Sequence, residues 1–117
     1  MAFIAHFGGD LKPGKMREFQ EWLAANESAV AESHPAGTKY IGTYVAIYSQ
    51  KGVGAVHTFV EMDSYGAQDA LATAGMAADS TYGRLINEYV SFLNQESENY
   101  TNALYKRVTD ATLYGDG

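Results

Sequence analysis

The sequence contains no cysteine, only two prolines and no long run of apolar residues. Without cysteine the chain forms no disulfide, and a thiolate metal site and a cysteine nucleophile are excluded as well. The apolar runs are too short to span a bilayer, so no membrane association is expected. The first residues also lack the basic start and long apolar stretch of a secretory signal. We therefore expect a cytoplasmic protein.

Positive charge is scarce too, and the formal net charge is -6. Residues 1–58 carry five basic and five acidic side chains, whereas residues 59–117 carry three basic and nine acidic ones. An acidic half of this kind repels phosphate backbones, which argues against nucleic acid as a partner. The length of 117 residues fits a single domain over residues 1–117.

Hydrophobic periodicity predicts two strand-and-helix units in tandem. An apolar strand over residues 2–8 is followed by the segment Leu11-Lys12-Pro13-Gly14-Lys15, which leads into a helix because proline suits a first helical turn. Asp63-Ser64 and Asp79-Ser80 are typical helix caps and predict a crossover of two helices. The remaining predicted segments are strands over 38–49, 53–62 and 100–109, with the first two joined by a turn at 50–52.

This order predicts an α+β fold, a ferredoxin-like βαββαβ domain with a four-stranded antiparallel sheet in the order 4-1-3-2. Helices cover only one face of such a sheet, and we expect the aliphatic residues beneath them: Ile41, Val45, Val56 and Val60. The opposite face then presents Tyr40, Tyr44, Tyr48, His57 and Phe59. Because so large an aromatic surface is too apolar to leave in water, we expect a second copy of the chain to cover it.

The element order, the double-faced strands and the segment Leu11-Lys12-Pro13-Gly14-Lys15 resemble the dimeric α/β-barrel superfamily. That group includes the NIPSNAP-like, antibiotic-biosynthesis monooxygenase-like, stress-responsive barrel and EthD-like families. The resemblance implies that two subunits pack sheet against sheet, with a pocket for a small, often aromatic molecule. It transfers no catalytic residue.

Histidine supplies the main chemical candidates. His57 lies mid-strand on the face without the valines, where imidazole suits a proton shuttle or a ligand hydrogen bond. His6 shares that face if Phe3, Ala5 and Phe7 face the helices. Phe3 and Phe7 would also suit the pocket, so the sequence leaves open which face of this strand carries His6. The alternative for His57 is an interface histidine bonded to a tyrosine, without chemistry.

Other residues of the same faces are candidate ligand contacts. Tyr40 and Tyr44 supply hydroxyl groups and stacking surface, although both also suit a subunit interface. Tyr105 and Arg107 share one face of the last strand. If that face lines the pocket, Arg107 could pair with a carboxylate or enolate of a ligand; the alternative is that Arg107 is a surface residue. The remaining candidates are Phe59 and Glu61. Glu61 lies about 13 Å along the strand from His57, too far to share a metal ion.

We therefore predict a homodimer that binds a small, apolar or aromatic molecule at the aromatic sheet face, with no metal and no cofactor. The alternative is a cofactor-independent monooxygenase or isomerase that acts on an aromatic or polyketide-like compound, with His57 as acid or base. Haem binding through a histidine is a third reading.

Overall fold

The computed structural model describes residues 3–110. The elements in chain order are β1 (Phe3–Gly9), α1 (Met16–Glu32), β2 (Thr38–Val45), β3 (Val56–Met62), α2 (Ala67–Met76), α3 (Thr81–Ser91), β4 (Thr101–Lys106) and a 3-10 turn (Val108–Asp110). All neighbouring strands are antiparallel, in the order β2-β3-β1-β4. This order confirms the predicted α+β fold and its two-helix crossover.

Helix α1 packs through an aromatic face against α3. Phe19 is buried, and Trp22 stacks on it with ring centroids 6.0 Å apart. The indole nitrogen of Trp22 donates a hydrogen bond to Oε1 of Glu88 in α3 at 2.7 Å. The helix begins at Met16, and the amide of Lys15 bonds to the carbonyl of Lys12, so that Pro13 lies in a turn before the helix.

Helix α3 begins at a serine cap and contributes much of the core. The hydroxyl of Ser80 accepts a hydrogen bond from the amide of Gly83 at 2.9 Å, as the sequence predicted. The other predicted cap, Asp63-Ser64, is wrong, since Gly66 precedes α2 and provides no side chain. Within residues 3–110 no helix is long and apolar enough to cross a membrane. The buried hydrophobic residues of α3 and of the two residues after it are Tyr82, Leu85, Tyr89 and Leu93.

The sheet face under the helices is apolar along its central strand. In β3 every second residue is buried, and the predicted burial of Val56 and Val60 is confirmed. The hydroxyl of Tyr89 in α3 donates to the carbonyl oxygen of Phe7 at 2.9 Å and joins this layer to β1. The side chains of β1 that pack on this side are Phe3, Ala5 and Phe7.

A β-bulge in β2 overturns part of the predicted face assignment. The pairing with β3 shifts by one residue between Tyr40 and Gly42. Tyr40 consequently lies on the helix side, where its hydroxyl donates to Oε2 of Glu27 in α1 at 2.7 Å. Its predicted place beside Tyr44 is wrong, because one extra residue reverses the alternation of side chains.

Two aliphatic residues of β2 are not covered as predicted. Ile41 and Val45 are each 44% exposed, whereas the sequence placed both under the helices. Ile41 is the residue at the bulge, and Val45 is the last residue of the strand.

The strands around the turn are shorter than their residue pattern predicted. β2 ends at Val45 and β3 begins at Val56, so Tyr48 lies outside the sheet and is 88% exposed. The loop over residues 46–55 is held at its base by two 2.8 Å hydrogen bonds, from the amide of Ala46 to the carbonyl of Ala55 and from the amide of Gly54 to the carbonyl of Ala46. β4 ends three residues before its predicted limit.

Candidate functional site

The face of the sheet opposite the helices, called the open face below, carries a cluster of rings. Side chains of β1, β2, β3 and β4 meet here, so the cluster depends on the register of all four strands. Its members are His6, Tyr44, His57, Phe59 and Tyr105.

The two histidines of the open face are in direct contact. Because Phe3, Ala5 and Phe7 face the helices, the phase of β1 is the one that places His6 beside His57. His6 pairs with Phe59, and His57 pairs with Gly8, so the imidazoles meet diagonally. Their ring centroids lie 4.8 Å apart at an interplanar angle of 87°.

Gly8 allows this close pairing of β1 and β3. A Cβ atom at this position would lie 1.9 Å from the carbonyl oxygen of Val56 and 2.8 Å from the Cα atom of His57. Both are backbone atoms that a side-chain rotation cannot move away, so any larger residue forces the strands apart.

Aromatic neighbours surround the histidine pair. The hydroxyl of Tyr105 is hydrogen-bonded to Nε2 of His6 at 3.1 Å, and Phe59 lies 5.5 Å from the His6 ring. Tyr44 meets Phe59 edge-on, with centroids 5.6 Å apart. Gly42 lies under Tyr44, since an added Cβ would be 2.9 Å from its ring.

A pocket of about 290 Å³ opens beside the histidines and is called the histidine pocket below. The loop over residues 46–55 forms one wall, and the start of β4 with the residues before it forms the other. The residue pattern did not predict this wall, because most of residues 46–55 fit predicted strands. Residues that line the pocket include His6, Lys51, His57, Glu98, Asn99 and Thr101.

Burial keeps both imidazoles neutral near pH 7. It lowers the pKa of His6, and it lowers the pKa of His57, which the neighbouring His6 lowers further and Asp10 raises. Nδ1 of His6 is buried and has no hydrogen-bond partner among the described residues. An unpaired N–H at that position would be costly, so Nε2 carries the hydrogen and donates it to Tyr105.

Asp10 is held behind the pocket by a polar network. Its carboxylate accepts hydrogen bonds from the Ser97 hydroxyl and from the side-chain amide of Asn99, the latter at 3.1 and 3.3 Å. The same amide reaches the carbonyl of Lys51 at 3.5 Å. These bonds tie the end of β1 to both walls of the pocket, and no sequence motif indicated them.

Three of the predicted contact residues lie away from the histidines. Tyr40 is on the opposite face, as described above. Glu61 shares the open face but pairs with Ile4 and Lys39 near the other end of β3. Arg107 lies one residue beyond β4 and is not among the described residues that line the histidine pocket.

A second cavity of about 200 Å³ lies between the sheet and helices α2 and α3. Nε2 of His34 is buried there without a hydrogen-bond partner in the described chain. Burial lowers the pKa of His34 and raises that of Tyr89, to about 12. This helix-side cavity is lined mainly by apolar groups and includes Phe7, Val60, Leu71, Tyr82 and Ile86.

The described residues offer no metal centre. Within residues 3–110, no group of three histidine, aspartate or glutamate side chains is arranged to hold a metal ion. The chemistry available at the open face is therefore that of two neutral imidazoles, two phenol groups and the aromatic surface between them.

The four-stranded antiparallel sheet with three helices on one face matches the fold of solved dimeric α/β-barrel structures, as the sequence resemblance predicted. Among solved structures, a NIPSNAP family protein from Agrobacterium tumefaciens superimposes with a TM-score of 0.68 at 14% identity, covering 96% of this chain and 90% of that one.

Two further solved structures show the same fold. An uncharacterized NIPSNAP-like domain protein from Burkholderia xenovorans gives a TM-score of 0.66 at 13% identity, with coverage of 94% and 88%. A putative antibiotic biosynthesis monooxygenase from Bordetella bronchiseptica gives 0.60 at 11% identity, with coverage of 92% and 97%. No protein-family model and no curated protein matches the chain. These likenesses define the fold and leave the activity to be argued from the site.

Proposed function

We propose that the protein is a homodimer formed through the open face, and that the histidine pocket binds a small, largely apolar or aromatic molecule. The observation that carries this proposal is the pair of contacting histidines on an exposed aromatic sheet face. A neutral imidazole can donate one hydrogen bond and accept another, while its ring provides stacking surface.

The dimer is supported by what the single chain leaves uncovered. Tyr44 and Tyr105 are 56% and 53% exposed, although each touches another ring of the cluster. Contiguous exposed aromatic surface of this kind is characteristic of subunit interfaces. A second copy placed sheet against sheet would shield both tyrosines, and such pairing is typical of this superfamily.

Ligand binding is supported by the size and lining of the histidine pocket. Its volume of about 290 Å³ suits a molecule of one or two rings, at the low end of ordinary ligand pockets. The walls include apolar groups of Ala46 and Ala55, while His6 and His57 supply directional polar contacts. A phenol or ketone with an aromatic body matches this combination.

A second candidate function is acid–base catalysis by His57 in a cofactor-independent monooxygenase or isomerase reaction. This function is supported by the lowered pKa of His57, which favours the neutral imidazole that can accept a proton at pH 7. His6 would position that ring through the edge-on contact, and Tyr105 would fix His6 through the 3.1 Å hydrogen bond.

The binding proposal is tested by titrating 2-naphthol into ¹⁵N-labelled protein and following amide resonances. We expect shifts at residues that border the histidine pocket, such as Gly8, His57 and Thr101, because the aromatic ring of the probe changes their magnetic environment. In His57→Ala the same titration should give at least several-fold weaker binding, since one imidazole contact and its surface are lost.

The matched control is His34→Ala, which removes a histidine side chain that is buried at the helix-side cavity. This variant should bind 2-naphthol at the open face as the wild type does. Shifts confined to residues around Leu71 and Ile86, lost in His34→Ala and kept in His57→Ala, would place binding in the helix-side cavity and contradict the proposal.

A further inference from the structure

The basic residues of this acidic chain are concentrated at one place. A cleft of about 630 Å³ lies where the segment after β1 meets the loop over residues 46–55. Of the side chains within residues 3–110, four basic ones line this cleft, whereas Asp10 is the single acidic one that does. This cationic cleft is defined by Lys12, Lys15, Arg17 and Lys51.

The charge of the cationic cleft opposes that of the rest of the molecule. With four basic residues and one acidic residue the cleft carries a formal charge of +3, so the rest of the chain carries -9. An isolated positive region in a negative molecule focuses the field and attracts small anions.

Three of these four cations form no ion pair with any residue that the structure describes. Lys15 pairs with Glu18 at 3.3 Å, whereas Lys12, Arg17 and Lys51 form no ion pair within residues 3–110. The one carboxylate of the cleft, Asp10, already accepts hydrogen bonds from Ser97 and Asn99. The positive charge of the cleft therefore remains available to a ligand.

The cationic cleft adjoins the histidine pocket. Lys51 and Asn99 line both cavities and form the boundary between them. Glu98 lines the histidine pocket only, so an anionic group is favoured on the cleft side of Lys51, away from that carboxylate.

We propose that the ligand of this protein is amphiphilic, with an aromatic or apolar body in the histidine pocket and an anionic group, a phosphate or carboxylate, in the cationic cleft. This inference rests on the proposed function, because it assumes that the histidine pocket holds the body of the ligand. It adds the chemical class of the ligand and assigns Lys12, Arg17 and Lys51 as its anion contacts.

The test compares two probes with the same ring system, neutral 2-naphthol and anionic 2-naphthyl phosphate, by amide shift titration at low salt. We expect the phosphate ester to bind roughly tenfold more tightly, because two or three exposed charge contacts together give about one factor of ten. It should shift amides of both cavities, and the preference should shrink as the salt concentration rises.

The variant Lys12→Gln/Arg17→Gln should reduce the affinity for 2-naphthyl phosphate to that for 2-naphthol, with naphthol binding unchanged, because neither residue lines the histidine pocket. Arg84→Gln is the control for loss of positive charge, because Arg84 is exposed on α3 and does not line either cavity. This variant should keep the preference for the phosphate ester.

Each failure has a distinct meaning. Equal affinity for the two probes would overturn the anionic class and leave the aromatic pocket standing. If inorganic phosphate alone bound as tightly as the ester, a ligand that bridges the two cavities would be ruled out. If neither probe shifted amides at the open face, the proposed function would fall together with this inference.

Discussion

At the scale of the residue, two imidazole rings are in direct contact on the open face. The ring centroids of His6 and His57 are 4.8 Å apart, and His6 disfavours a positive charge on His57. Burial acts in the same direction, so the pKa of both histidines lies below the ordinary value of 6.5. The folded protein therefore resists protonation at a place where the unfolded chain accepts it.

This difference in pKa predicts a loss of stability in mild acid. The stabilising contribution is complete above pH 6.5 and is lost as the pH falls through the unfolded pKa toward the lower folded pKa, because the unfolded state takes up protons first. Urea unfolding of the wild type should thus show a lower midpoint at pH 5.5 than at pH 7.5.

The double variant His6→Phe/His57→Phe separates this effect from other titrations. Its urea midpoint should change less between the two pH values than that of the wild type, with His34 retaining its own contribution. An equally steep dependence in the double variant would show that the open-face histidines do not cause it.

At the scale of the element, the sequence predicted the kinds and order of the strands and helices but not every face. The alternating and helical patterns are strong where one side of an element is buried, as along β3 and α1. The bulge between Tyr40 and Gly42 has no such pattern, because each aromatic residue of β2 suits either face. Tyr40 was misplaced for this reason.

The candidate site could likewise be predicted from the sequence only in part. Phe3, Ala5 and Phe7 left two phases open for β1, and only packing against the helices decides that His6 joins His57. The cationic cleft was not predicted, since its basic residues come from the segment that leads into α1, from the first turn of α1 and from the loop over residues 46–55, whose proximity depends on the tertiary structure.

A prediction at this scale concerns the start of α3. Ser80→Ala removes the acceptor of the Gly83 amide and should lower the free energy of unfolding by about 1 kcal/mol. Urea denaturation measures the loss. The control Ser28→Ala, at an exposed position within α1, should be nearly neutral, because alanine favours a helix interior. Equal losses in both variants would contradict a capping role for Ser80.

At the scale of the whole molecule, helices cover one face of the sheet and leave the other face exposed. The helix face buries Val56, Val60 and Met62 almost completely, while the open face leaves Tyr44 and Tyr105 more than half exposed. The proposed dimer completes the second face with a copy of the same surface. This would also place the histidine pocket beside the subunit boundary, where both binding and stability depend on assembly.

The most direct test is sedimentation equilibrium of the purified protein at micromolar concentration. We expect a mass of twice 12.7 kDa for the wild type and a monomer for Tyr44→Glu/Tyr105→Glu, because charges introduced into an aromatic interface lose their hydration when it closes. Tyr65→Glu, on the helix side and already exposed, should remain dimeric. A wild-type mass of 12.7 kDa at that concentration would contradict the account.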